Sequence, residues 1–325
     1  MLLFVNQGIL VTASQGSKNE YDYNIATVVL LTEVLKLLLS TILYCQDNKL
    51  VNLVADIFRN TKLLALYFIP ALLYCMYNNL AFANLATFDP TTYYLLLQLR
   101  VVITGVLFQI IFKKYLSGIQ WFSLIMLTVG CMLKQVDFGM PEEDSTLDLH
   151  KNTRGFDLSL SAVFIVIQVL CSCFAGVYNE HLLKREGADV NIYVQNVFMY
   201  LDSIICNLAV LLYQGDIHSA FQTENLSVIF HYRVLVIMIN NAIVGIITSF
   251  FLKSLNSILK TFASALELII IAVLSYILFN IPIHMNTVLA IAVVSYAIIL
   301  YSRNPVSNVK PSKEQERELL MRETV

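Results

Sequence analysis

The stretch YYLLLQLRVVITGVLF, residues 93–108, carries no charge except Arg100. A charge at the centre of a bilayer costs about 2.5–3.5 kcal/mol even on a lenient insertion scale, so an arginine inside such a run needs a chemical reason. Lys36 lies within a second apolar stretch and Lys260 near the end of a third. Cations on separate segments suit a ligand bearing several negative charges. Phosphate is the first choice, because guanidinium and ammonium groups bind it through charge-assisted hydrogen bonds. Polar aromatic neighbours accompany them. YCMYNN supplies Tyr74, Tyr77 and Asn78, QNVFMY supplies Asn196 and Tyr200, and Tyr93 lies two helical turns before Arg100. Phenols and amides hydrogen-bond a base or sugar, and a ring can stack on a base. Two competing readings stay open: such residues also bind helices together in membranes, and Glu33 and Lys36, three apart in TEVLK, can neutralise each other.

The elements that must position these groups are membrane helices. The chain of 325 residues is 58% hydrophobic and only 14% charged, with a mean hydropathy of +0.69. A soluble domain carries about a quarter charged residues. Residues 63–88 contain no Asp, Glu, Lys or Arg, longer than the run that reads as a spanning helix. The hydropathy pattern predicts ten spans, at about 1–16, 22–45, 63–87, 90–112, 115–136, 156–180, 190–214, 232–253, 258–280 and 283–302. The fold class is therefore all-α integral membrane, with Arg100 in the middle of its span. Within the apolar spans lie Glu33, Lys36, Arg100, Asp202 and Glu267, with Lys253 at a span end, where it can snorkel.

Basic residues orient the bundle. Lys49, Arg59, Lys62, Lys113, Lys114, Lys184, Arg185, Lys253, Arg303 and the tail's Lys310, Lys313, Arg317 and Arg322 fall on one side if both termini are cytosolic. Few fall opposite, which satisfies the positive-inside rule. The acidic loop 137–155 and the sequon Asn225-Leu226-Ser227 then face the lumen, and 303–325 forms a cytosolic tail. Segment 48–60 alternates apolar and charged positions at helical spacing, which suits either a helix lying at the cytosolic interface or a plain amphipathic linker. Pro70, Gly105, Gly130, Gly176 and Gly245 are candidate points of kinking or close packing. The cysteines lie in or beside apolar runs without zinc-type spacing and read as packing residues. No phosphate loop, HExxH or GxSxG is present, and no nucleophile–base–acid set argues for an enzyme. A multispan receptor or scaffold with structurally paired charges is the alternative from another class; a related carrier that exports cations through Glu267 or Asp202 is a third reading, against which the basic residues argue.

The stretches TEVLKLLLS (32–40), PALLYCMYNNLAF (70–82), FDPTTYYLLLQLRVVITG (88–105), LSGIQW (116–121), FAGVYNEHLLK (174–184), VQNVFMY (194–200) and LNSILKTFASA (255–265) together resemble the nucleotide-sugar transporter family of the drug/metabolite transporter superfamily. The similarity is strongest to its CMP-sialic acid and UDP-galactose branch. The resemblance implies ten transmembrane helices as two inverted five-helix repeats, 1–136 and 156–302, around a midplane cavity. It implies exchange of a luminal nucleoside monophosphate for a cytosolic nucleotide sugar across the Golgi membrane, with no cofactor, metal or nucleic-acid partner; a homodimer is compatible with it. It also implies that Met1 is a short start. The substrate-binding positions that match are Lys36, Tyr74, Asn78, Tyr93, Asn196, Tyr200, Ser249 and Lys260, with Arg100 in place of the usual lysine and Tyr77 in place of a glutamine. Leu97 stands where a tyrosine is common, and Asp202 where a serine is, bringing a negative charge near the ligand. These departures favour a UDP-sugar over CMP-sialic acid, UDP-galactose first and UDP-N-acetylglucosamine next.

Overall fold

The computed structural model describes residues 25–87, 93, 96–135, 154–214, 222, 229, 231–266, 270 and 285–303. Among these the chain is helical, with no strand. The helices are α1 (Ile25–Asp47), α2 (Leu50–Arg59), α3 (Thr61–Thr87), α4 (Arg100–Phe112), α5 (Gly118–Gln135), α6 (Arg154–His181), α7 (Ile192–Gln214), α8 (Tyr232–Ser254), α9 (Ser257–Leu266) and α10 (Met285–Arg303). Six of the described helices, α1, α3, α6, α7, α8 and α10, are long and apolar enough to cross a membrane, and α4, α5 and α9 are shorter apolar pieces. The predicted span 1–16, most of 258–280, nearly all of the acidic loop, the sequon, Glu267 and the tail beyond 303 lie outside the described residues.

The bundle is apolar on its outside. Leu38 and Ile42 on α1, Phe122, Ile125 and Val129 on α5, and Ile239, Ile243 and Ile247 on α8 are exposed at helical spacing, as helices require where hydrocarbon is the solvent. Inside, α10 packs on α5, α3 on α6 and α7, α1 on α7 and α8, and α4 on α6. One core joins α4, α5, α9 and α10 through Phe108, Phe112, Leu124, Leu127, Phe262 and Tyr301. A second joins α1, α2, α3 and α7 through Tyr44, Leu53, Tyr67 and Phe198. The latter is reinforced by a buried polar hub: Tyr67 Oη donates to Gln195 Oε1 (2.8 Å), while Gln195 Nε2 donates to the carbonyls of Gly187 (2.7 Å) and Val190 (2.9 Å). The Gly187 amide closes a π-type turn onto Leu182 O at 2.7 Å after α6.

Several local expectations have outcomes. Segment 48–60 does form a helix, α2, burying Leu53 while Leu50, Val51, Val54 and Phe58 stay exposed; Tyr44 Oη pins it by donating to Asp56 Oδ2 at 2.7 Å. All of the cysteines are free, and all but Cys45 are buried. Lys253 Nζ donates to Val190 O at 3.4 Å. Gly130 is a point of close packing, α5 against α10 at Val294, and Gly105 packs against Leu124.

The helix of the predicted span 90–112 breaks just before Arg100. The chain is helical at 93 and 96–97, turns at Gln98–Leu99, and starts α4 at Arg100. Leu99 N bonds Leu96 O and Val101 N bonds Gln98 O, both at 3.1 Å, so the backbone tightens to three-residue turns there. Arg100 is thus the first residue of a helix, near its positive end.

Candidate functional site

A cavity of about 430 Å³ lies between α1, α3, α6, α7, α8 and α9, a size typical of small-molecule sites. It gathers Lys36, Tyr74, Asn78, Tyr200, Ser249 and Lys260 from five different helices. Each is placed by helical periodicity: Tyr74 and Asn78 are one turn apart on α3, and Val28, Thr32 and Lys36 form one stripe of α1. Lys36 Nζ is bonded to Glu33 Oε1 at 2.6 Å and lies 5.7 Å from the centre of the Tyr200 ring. The expected neutralising pair therefore forms, and it forms inside the cavity, because both partners line the wall. Gly245 of α8 makes room for it. A Cβ there would stand 2.9 Å from Lys36 Cε.

A smaller pocket of about 100 Å³ shares Tyr74 and Lys260 with this cavity and adds Arg100. Its wall is built from the first turns of two helices, Arg100 and Thr104 of α4 and Ser257, Lys260 and Thr261 of α9, with Ser172, Cys173 and Gly176 of α6 behind them. Cys173 Sγ, donating to Arg100 O at 3.3 Å, ties α4 to α6. Among the described residues neither Arg100 nor Lys260 has a carboxylate partner within ion-pair distance. Two cations and a row of hydroxyls make a wall suited to anionic oxygens.

The remaining candidates sit elsewhere. Tyr77 is half-buried on α3 and lines neither cavity. Tyr93 is buried among Leu97, Ile165, Val169 and Cys173; its hydroxyl accepts from Gln168 Nε2 (2.8 Å), whose Oε1 accepts from Asn84 Nδ2 (2.7 Å). Asn196 is 2% exposed, with its Nδ2 lacking a hydrogen-bond partner among the described residues. Asp202 is buried and lines neither cavity, while its neighbour Ser203 does. Sequence reasoning did not single out Thr104, Ser257, Thr261 or Ser264. A signal was present: Ser257, Thr261 and Ser264 fall on the Lys260 face of α9, and Thr104 lies one turn after Arg100.

Long apolar helices around an internal, cation-bearing polar cavity define a multispan membrane protein whose interior is built for a polar solute. The chain belongs to the nucleotide-sugar transporter family, whose sequence model matches residues 1–302. It is 62% identical to the UDP-galactose transporter senju of Drosophila melanogaster, over 95% of this chain and 86% of that protein. It is 30% identical to the CMP-sialic acid transporter 2 of Oryza sativa subsp. indica, over 96% and 83%, and 28% identical to the CMP-sialic acid transporter 1 of Arabidopsis thaliana, over 94% and 88%. The fold is shared with a protein of known crystal structure, with a TM-score of 0.61 at 13% identity over 92% of each chain. The protein is thus a carrier of nucleotide sugars, not an enzyme.

Proposed function

We propose that the protein imports a UDP-sugar, UDP-galactose first, into the Golgi lumen in exchange for UMP. The observation that carries this reading is the convergence of Arg100 and Lys260 on a pocket that shares Tyr74 and Lys260 with the larger cavity. The phosphates lie against Arg100 and Lys260, with Lys36 reached by displacing Glu33. The nucleoside lies in the larger cavity against Tyr74, Asn78, Tyr200 and Ser249. The activity named for the fly relative supports UDP-galactose. The plant relatives' names favour CMP-sialic acid as the second reading, which the exchange partner separates.

The architecture proposed is two inverted five-helix repeats, 1–136 and 156–302, joined by a luminal loop 137–155, with both termini cytosolic. The matching roles of α4 and α9, each giving its first turn and a cation to the same pocket, are what such a repeat would produce. Exchange follows from electrostatics. Unpaired cations disfavour reorientation of the carrier without ligand, and either nucleotide neutralises them. The test is uptake of radiolabelled UDP-galactose into proteoliposomes preloaded with UMP, CMP or buffer. Uptake driven by UMP alone is expected. Stimulation by CMP instead would establish the second reading, and no uptake from folded protein would overturn transport by exchange.

A further inference from the structure

Beside the site, α6 is fastened to the turn between α8 and α9 by a charged clamp. Glu180 follows the cavity-lining Asn179, and its side chain is 1% exposed. Its Oε1 accepts from Lys184 Nζ at 2.8 Å, and its Oε2 accepts from the backbone amide of Ser257, the first residue of α9, at 2.7 Å. Lys184 Nζ also donates to the carbonyl of Leu255, just past the end of α8. A carboxylate this buried is tolerated only when its lone pairs are matched. Here a cation, an amide and the positive end of α9 match them. Asn256 completes the cap, its Oδ1 accepting from Leu259 N at 2.8 Å.

The clamp fixes Ser257 by its backbone and leaves its side chain free. Ser257 is 4% exposed and lines the Arg100–Lys260 pocket, and its Oγ has no hydrogen-bond partner among the described residues. A buried hydroxyl without a partner is costly, and a ligand oxygen would supply one. Lys260 stands three residues further along α9, about one turn away, so a shift of the Ser257 backbone also moves the base of the Lys260 side chain.

We propose that Ser257 is a further ligand-binding residue, donating its hydroxyl to a phosphate oxygen of the nucleotide, and that Glu180 and Lys184 are positioning residues that hold Ser257 and Lys260 in place. The proposal rests on the nucleotide-carrier reading above. The experiment measures binding of UMP and of uridine, which lacks the phosphate, to purified full-length protein. Ser257→Ala keeps the amide that Glu180 holds. It should weaken UMP about 25-fold, the loss of one hydrogen bond to a charged group, and leave uridine unchanged. Lys184→Met should produce the same phosphate-selective loss, and Lys184→Arg, which keeps both donations, should restore UMP binding. Wild-type UMP affinity in Ser257→Ala would overturn the ligand role. Equal losses of UMP and uridine in Lys184→Met would reduce the clamp to a stability device and overturn the positioning role. Wild-type protein that binds no UMP would sink the nucleotide reading itself, and this proposal with it.

Discussion

Gly245→Ala separates the role of Lys36 from the stability of the bundle. A Cβ at 245 would stand 2.9 Å from Lys36 Cε, 3.1 Å from Lys36 Cδ and 3.3 Å from Tyr200 Oη. Carbon atoms rest at about 3.5–4.0 Å, so the lysine stem must retreat by about 0.6–1 Å. The nearest atoms all belong to side-chain ends, none to backbone, so the helices need not separate. Alanine is also the better helix former, by about 0.8–1.0 kcal/mol. Folding is therefore close to neutral, and the perturbation falls on the ammonium group, now held 2.6 Å from Glu33 and over Tyr200. A hydrogen bond to a charged group is worth about 1.5–3 kcal/mol, and losing half of one weakens binding about fivefold. The assay is KM for the labelled UDP-sugar in UMP-loaded proteoliposomes, beside thermal unfolding of the same preparation. KM should rise about fivefold with Tm nearly unmoved. An unchanged KM would refute the placement of Lys36 against the ligand. A large fall in Tm would refute the reasoning that the lysine, not the helix, absorbs the added methyl.

Gly130→Ala should do the opposite. Its Cβ would meet Val294 Cγ2 at 2.7 Å and the Val294 backbone nitrogen at 3.2 Å, so α5 and α10 must part. A cost of about 1–3 kcal/mol is expected, read as a lowered Tm with KM retained in the protein that stays folded. Arg100→Ala should abolish exchange while protein level and Tm stay near wild type, because Arg100 is half-buried at a helix start and bonds no carboxylate among the described residues. Exchange near the wild-type rate would remove Arg100 from phosphate binding.

The amino-acid sequence by itself determined the class of molecule. Hydropathy decides that these helices face lipid, because backbone in hydrocarbon must satisfy its own hydrogen bonds. Periodicity within one helix was equally legible: the Glu33–Lys36 pair, the shared face of Tyr74 and Asn78, and the amphipathic α2 follow from the helical repeat. The break before Arg100 was not legible, since LLLQLR contains neither glycine nor proline and no local preference marks it. What faces each helix was not legible either. Gln168 meets Tyr93 from 75 positions away, Glu180 meets Ser257 from 77, and Gln195 meets Tyr67 from 128. Helical repeats fix which side chains share a face, while crossing angles and register between helices fix what that face meets. Only the packing of α6 against the α8–α9 turn turned an ordinary serine into a buried hydroxyl beside two cations.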